Sequence, residues 1–147
     1  MSVIWVHEDA ITLDHPIFQL AGPDAQPIFI WDTQEHDRRR YSLKRRVFIY
    51  ECAHDLDIPI YAGNSAEILS TIADGDSIFA AGSPDPDIRQ VLADLRENQK
   101  VITVDAPRLA QIPPNTDTRR FFRFWNRARK SALTPSFETL MNTTQGS

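Results

Sequence analysis

The chain's 147 residues carry 16 basic and 20 acidic side chains, for a net charge of −4, and 41% of them are hydrophobic. This is the composition of one ordinary globular domain, long enough to bury a core without metals or disulfides. No apolar run approaches the ~20 residues of a membrane span, the start MSVIWVHED lacks the basic region and cleavage site of a signal peptide, and the single Cys52 excludes an internal disulfide, so a reducing cytoplasm is the expected setting.

Val3–Val6 is a mostly β-branched apolar run without alternation, which predicts a strand covered on both faces, as in a parallel sheet. His7, Glu8 and Asp9 end it. A short helix is expected over Asp14–Ala21, capped by Asp14 and stopped by Gly22–Pro23. Gln26–Thr33 predicts a second strand that again turns acidic at its carboxyl end, with Asp32, and the wholly polar Gln34–Arg40 reads as a surface loop. A helix follows over about Ser42–Asp57, with Leu43, Val47, Tyr50 and Ala53 near its buried face. Ile58–Ala62 is the third strand, and Ser65–Ala73 the next helix, capped by Ser65 and buried through Ile68, Leu69 and Ile72. Ser77–Ala81 is the fourth strand, GSPDPD a tight loop, and Asp87–Asn98 a helix with Ile88, Val91, Leu92 and Leu95 at helical spacing. Lys100–Val104 is the fifth strand, ending at Asp105. Five strands alternating with helices predict an α/β fold: a Rossmann-like, three-layer, doubly wound five-stranded parallel sheet.

Ala106–Thr118 has three prolines and no periodicity, so it reads as a linker closing a domain of residues 1–118. Residues 119–133 read as a basic amphipathic helix in which Phe121, Trp125, Ala128 and Ala132 share one face and Arg123, Arg127 and Lys130 line another. From Arg119 onward six basic residues and one acid give +5, which leaves −9 on residues 1–118. An acidic body repels phosphate, so nucleic acid is disfavoured as a partner. Phe121, Phe122, Arg123, Trp125 and Arg127 are the residues nominated to meet a protein, although folding back of the helix on its own sheet is the favoured arrangement. Residues 134–147 read as a disordered tail.

The chain contains no G-x-x-x-x-G-K-[ST], no G-x-G-x-x-G after the first strand, no G-x-S-x-G and no zinc-type Cys/His spacing, so no catalytic or metal-binding residue is nominated. His7, His15, His36 and His54 read as surface or satisfied core residues, and Cys52 as a small apolar filler.

Several motifs in series resemble the N-terminal α/β domain of the DNA photolyase and cryptochrome family. Trp5, Asp9 and Asp14 fall on its opening Trp-Phe-Arg-Arg-Asp-Leu-Arg-Leu-x-Asp-Asn turn, and Phe29–Asp32 (FIWD) on the end of its second strand. Arg45, Phe48, Glu51, Asp55 and Leu56 match the following helix, Gly63–Leu69 (GNSAEIL) the turn after strand three, and Phe121–Lys130 the segment that joins the family's two domains. His7 and Glu8 stand where the family has paired arginines, and Ile11 and His15 where it has Arg and Asn. The resemblance implies an antenna-type domain without the large helical domain that holds the family's FAD. It therefore implies no photolyase activity and no FAD in this chain alone.

In an open α/β sheet, ligands bind outside the carboxyl ends of the strands. That rule nominates Glu8, Asp9, Asp32, Gly63, Asn64, Gly82, Ser83 and Asp105, with Gly82 and Ser83 offering N–H groups to an anion. Arg38, Arg39 and Arg40 would compensate the carboxylates. The competing reading is structural: Ser83 and Asp85 cap the helix after strand four, and the carboxylates solvate the rim. Repulsion between several carboxylates and a phosphate favours that second reading. The expected function is a stand-alone, non-catalytic accessory module that binds FMN, a deazaflavin, a folate-type pterin or a nucleotide, or that partners a separate helical flavin-binding protein or a second copy of itself. The alternatives are a small nucleotide-binding enzyme or sensor of the wider Rossmann-like adenine-binding group, and an inactive remnant of a longer photolyase-like gene.

Overall fold

Parallel strands buried on both faces require helices above and below them. The computed structural model arranges the chain in this way and describes residues 1–107, 112, 113, 115 and 119–133. The chain divides into two compact units, Met1–Ala106 and Pro107–Ser147. The first contains β1 (Val3–Val6), α1 (Pro16–Ala21), β2 (Gln26–Trp31), α2 (Thr33–Arg38), α3 (Leu43–His54), β3 (Ile60–Ala62), α4 (Ser65–Ala73), β4 (Ile78–Ala81), α5 (Pro86–Arg96) and β5 (Val101–Val104); the second contains α6 (Phe121–Leu133).

The strands form one all-parallel sheet in the order β3-β2-β1-β4-β5. Strand order reverses at β1, whose Trp5 lies opposite Ile28 of β2 on one side and Ala80 of β4 on the other. This is the Rossmann-like doubly wound α/β architecture expected from the alternation of elements. The strand period of two sorts the core. Val3, Trp5, Ile28, Ile30, Ile78 and Ala80 face α4 and α5, where Leu69, Ala73, Ile88, Leu92 and Leu95 complete one layer. Ile4, Val6, Phe29 and Phe79 face the other way, onto Ile17 of α1 and Ile49 and Ala53 of α3. The three-residue β3 and the half-buried β5 form the sheet's two margins.

Four local expectations are corrected. Helix α1 is capped by His15 rather than Asp14: a residue before proline is held extended, so the helix starts at Pro16, and His15 Nδ1 accepts the Ile17 N–H at 3.1 Å. Gln34–Arg40 is not a loop throughout, because α2 covers Thr33–Arg38. Asp32 caps it by accepting the Glu35 N–H, and Glu35 in turn takes Arg38 and Arg39 one turn on. Helix α3 ends at His54 and buries Ile49 and Ala53, leaving Leu43, Val47 and Tyr50 exposed. Its apolar residues surround the helix, so docking against β2 and β3 chooses the face and no single stripe does. Helix α4 is capped by Asn64, not Ser65. Ser65 lies inside the first turn and gives its hydroxyl to Asp32.

Helix α6 carries Phe121 stacked on Trp125, with ring planes 7° apart, and exposes Phe122. The expected disordered tail, 134–147, and most of the expected linker lie outside the described residues. Among the described residues no helix is long and apolar enough to cross a membrane.

The face chosen by α3 can be tested directly. Ile49→Ala should lower unfolding stability by about 2–4 kcal/mol, as for a buried aliphatic truncation. Leu43→Ala, at a position 78% exposed, should stay within about 0.5 kcal/mol in urea unfolding.

Candidate functional site

The carboxyl ends of β1 and β2 bring their polar residues onto the flank of α2. Arg39, just past the end of α2, is the centre of the arrangement. Its Nε donates to Glu35 Oε1 at 2.6 Å, and its two terminal nitrogens fork onto Asp85 at 2.7 and 3.0 Å. Nη1 also lies 3.1 Å from Glu8 Oε1, and Nη2 3.2 Å from Asp87 Oδ2. Tyr41 closes the ring, receiving a hydrogen bond from Arg39 at 3.0 Å and donating its own hydroxyl to Glu8 at 2.6 Å. The Arg39 and Glu8 side chains are only 13% and 14% exposed. Burial opposes the Arg39 charge, but the bonds to Asp85, Glu35 and Tyr41 outweigh it and hold its pKa above the ordinary value. The same contact with Arg39 holds Asp85 below the usual carboxylate range, and the bond from Arg38 does so for Glu35.

Beside this network lies a cavity of about 120 Å³. Trp5, Phe29, Ile30, Ile88 and Val91 make its apolar wall, and Glu8, Asp32, Glu35, Asp87 and Arg39 its charged residues. Three buried atoms among its lining residues have no hydrogen-bond partner: His7 Nδ1, Glu8 Oε2 and His36 Nδ1. The first is chemically defined. His7 Nε2 lies 2.9 Å from the Ala81 carbonyl, which only accepts, so Nε2 carries the hydrogen and Nδ1 presents a lone pair. His7 is 2% exposed, and burial pushes its pKa below the ordinary 6.5, against the Ala81 bond and the charge of Asp9. His36 is buried edge-on against Trp31, with ring centroids 4.5 Å apart, and burial lowers its pKa as well. A buried polar atom left unpaired costs about 1–3 kcal/mol.

The nominated residues are divided among several places. Glu8, Asp32, Arg39 and Asn64 line the cavity. Both oxygens of Asp32 are already used, Oδ1 by the Glu35 N–H and Oδ2 by the Ser65 N–H and hydroxyl. Gly82, Ser83 and Asp105 line a separate, more open groove of about 490 Å³ beside Arg89 and Arg96 of α5. Ser83 takes the Asp85 N–H and donates to Asp9, while a Cβ on Gly82 would overlap the Asp105 carboxylate. Arg38 pairs with Glu35 and Asp87. Gly63, at φ 145°, turns the chain into α4, and Arg40, at φ 54°, is exposed and lines neither depression. The nominated partner residues Phe121, Phe122, Arg123, Trp125 and Arg127 all lie on α6.

Sequence reasoning missed His7 and His36 as site residues. His7 directly follows the β1 run, and the strand-end rule that picked Glu8 applies equally to it. His36 was hidden in the segment read as a loop, although Asp32 and Glu35 stand at capping-box spacing. Among the described residues no three His, Cys, Asp or Glu side chains are placed to hold a metal ion.

The histidines impose a pH dependence. Below pH 6.5 the unfolded chain protonates both rings while the folded chain resists, so their contribution is full above that value and is lost as pH falls toward the lowered folded pKa. The urea midpoint should therefore drop between about pH 7 and about pH 5, and His7→Gln should flatten that slope. For the network, Arg39→Lys should cost about 1–2 kcal/mol by losing the fork. Arg39→Met, which leaves Glu8, Glu35 and Asp85 uncompensated, should cost about 2–4 kcal/mol in the same assay.

Compared with known protein-family models and with curated proteins, the chain shows no match, and the site is defined by its own geometry.

Proposed function

We propose that the chain is a stand-alone, non-catalytic binding module of the photolyase and cryptochrome α/β type, which takes part of a flat ring ligand into the cavity beside β1. One observation carries this reading: an apolar-walled cavity at the strand end where sheet order reverses, with His7, Glu8 and Arg39 among its polar lining residues. At about 120 Å³ the cavity is small. It lies below the ~300–1,000 Å³ of pockets that enclose whole drug-sized ligands. A flavin, pterin or nucleotide would insert one edge and leave its remainder on the rim. The ionisable side chains are committed to one another, Glu8 to Tyr41 and Arg39, and Asp32 to two helix starts. Recognition is the role this supports.

A second reading concerns α6, where Phe121 and Phe122 are 65% and 76% exposed. Exposed aromatics flanked by arginines suit docking onto a separate helical flavin-binding protein.

Both readings meet in one experiment: gentle purification of the protein from its own source, an absorption spectrum from the near-ultraviolet to the blue, and mass spectrometry of what denaturation releases. A flavin, deazaflavin, pterin or nucleotide is the expected finding, and a co-purifying helical flavoprotein would support the second reading. A colourless, ligand-free protein that FMN, a pterin and AMP all fail to stabilise sinks the binding module, because ligand at 100 times Kd should add about 2.7 kcal/mol.

A further inference from the structure

We propose that the solvent face of α3 is a self-complementary docking surface, on which a second copy of this chain lays its own α3 antiparallel across a twofold axis. The surface is independent of what the cavity beside β1 holds.

The first observation is an apolar face left in solvent. Ile49 and Ala53 seat one side of α3 in the core. On the opposite side Val47 and Phe48 are exposed, Phe48 to 64%, with Leu43 and Tyr50 exposed beside them. Large apolar side chains gathered on one surface mark a place of association.

The second is charge set against the helix's own field. A helix favours acids in its first turn and bases in its last. The outer face of α3 does the reverse: Lys44 stands in a first turn that holds no acid, Glu51 stands in the last turn, and Asp55 is the C-cap. Arg45 and Arg46, beside Lys44, are held by Tyr41 and Asp37. The side chains of Lys44, Glu51 and Asp55 have no partner among the described residues.

Lys44, Val47, Phe48, Glu51 and Asp55 recur at i, i+3, i+4, i+7 and i+11, so they share one face, on which a basic end, an apolar middle and an acidic end follow in order. That order complements itself when reversed. An antiparallel copy centred between Val47 and Phe48 sets each of these against the other. It also sets Lys44 against the second copy's Glu51, because both lie about 5 Å of helix rise from the axis. A parallel copy would set Lys44 beside Lys44 and Glu51 beside Glu51, so charge selects the twofold arrangement. The twelve residues of α3 span about 18 Å, which is short for a permanent interface, and the dimer should be weak, with Kd in the micromolar range.

The test is the mass of the whole chain by sedimentation velocity and light scattering from about 5 to about 500 µM. The unaltered protein should pass from monomer to dimer over this range. Lys44→Glu and Glu51→Lys each set like charges at both contacts and should raise Kd at least about tenfold. An equimolar mixture of the two variants should recover the dimer, since both contacts of the mixed pair again join Lys to Glu. Each substitution puts its new charge at the helix end that favours it, so α3 should stay folded, which urea unfolding checks. Should either variant fail to fold, Phe48→Ser must weaken the dimer to the same extent or the proposal falls. A monomer at every concentration, whatever other protein or segment covers this face, overturns the proposal. So does a dimer that both variants leave intact, or one that mixing does not restore.

Discussion

One guanidinium holds together three parts of the chain that are distant in sequence. Arg39 meets the end of β1 through Glu8, its own helix through Glu35, and the start of α5 through Asp85, 46 residues away. Without a central cation these carboxylates would face one another in a partly buried space, where like charges are far more costly than in water. Asp85 carries two duties at once, since the same carboxylate that grips Arg39 also ends the unpaired N–H groups of α5. The position of α5 over the sheet, and with it the Ile88 and Val91 wall of the cavity, therefore depends on a residue next to α2.

The strands were legible because each is a mainly apolar run, and Val3–Val6 and Ile78–Ala81 are buried at every position. Helix α5 was legible through Ile88, Leu92 and Leu95, which recur at helical spacing and all reach the core. Helix α2 was not, because a segment with one buried residue, His36, has no hydrophobic period. It is held by a cap and by Glu35–arginine pairs, which leave a weaker trace in the sequence. The face of α3 was hidden for the opposite reason, an excess of apolar residues that marks every side of the helix. At the site, the strand-end rule found Glu8 and Asp32 but not which of their oxygens would be free. That is fixed by Tyr41 and Ser65, whose contacts span 33 residues in each case.

The sheet order is that of dinucleotide-binding folds, yet the features that usually hold phosphate there are put to another use. Gly82, at the end of β4, gives up its side-chain space to the Asp105 carboxylate rather than to a ligand. Asp32, at the end of β2, ties α2 to α4. The same backbone plan thus presents a rim rich in acceptors, and the difference comes from a handful of carboxylates at strand ends rather than from any change in topology.

The margins of the sheet have a bearing on how copies of the protein meet. A parallel sheet of five strands has two open edges, and an open edge is a template on which another chain can pair. Here β3 offers only three residues, Ile60–Ala62, before Gly63 turns the chain away. A foreign strand laid along it would find very few backbone groups to bond. The brevity of β3 is thus a built-in protection against edge-to-edge aggregation on that side, achieved without charge or proline in the strand itself.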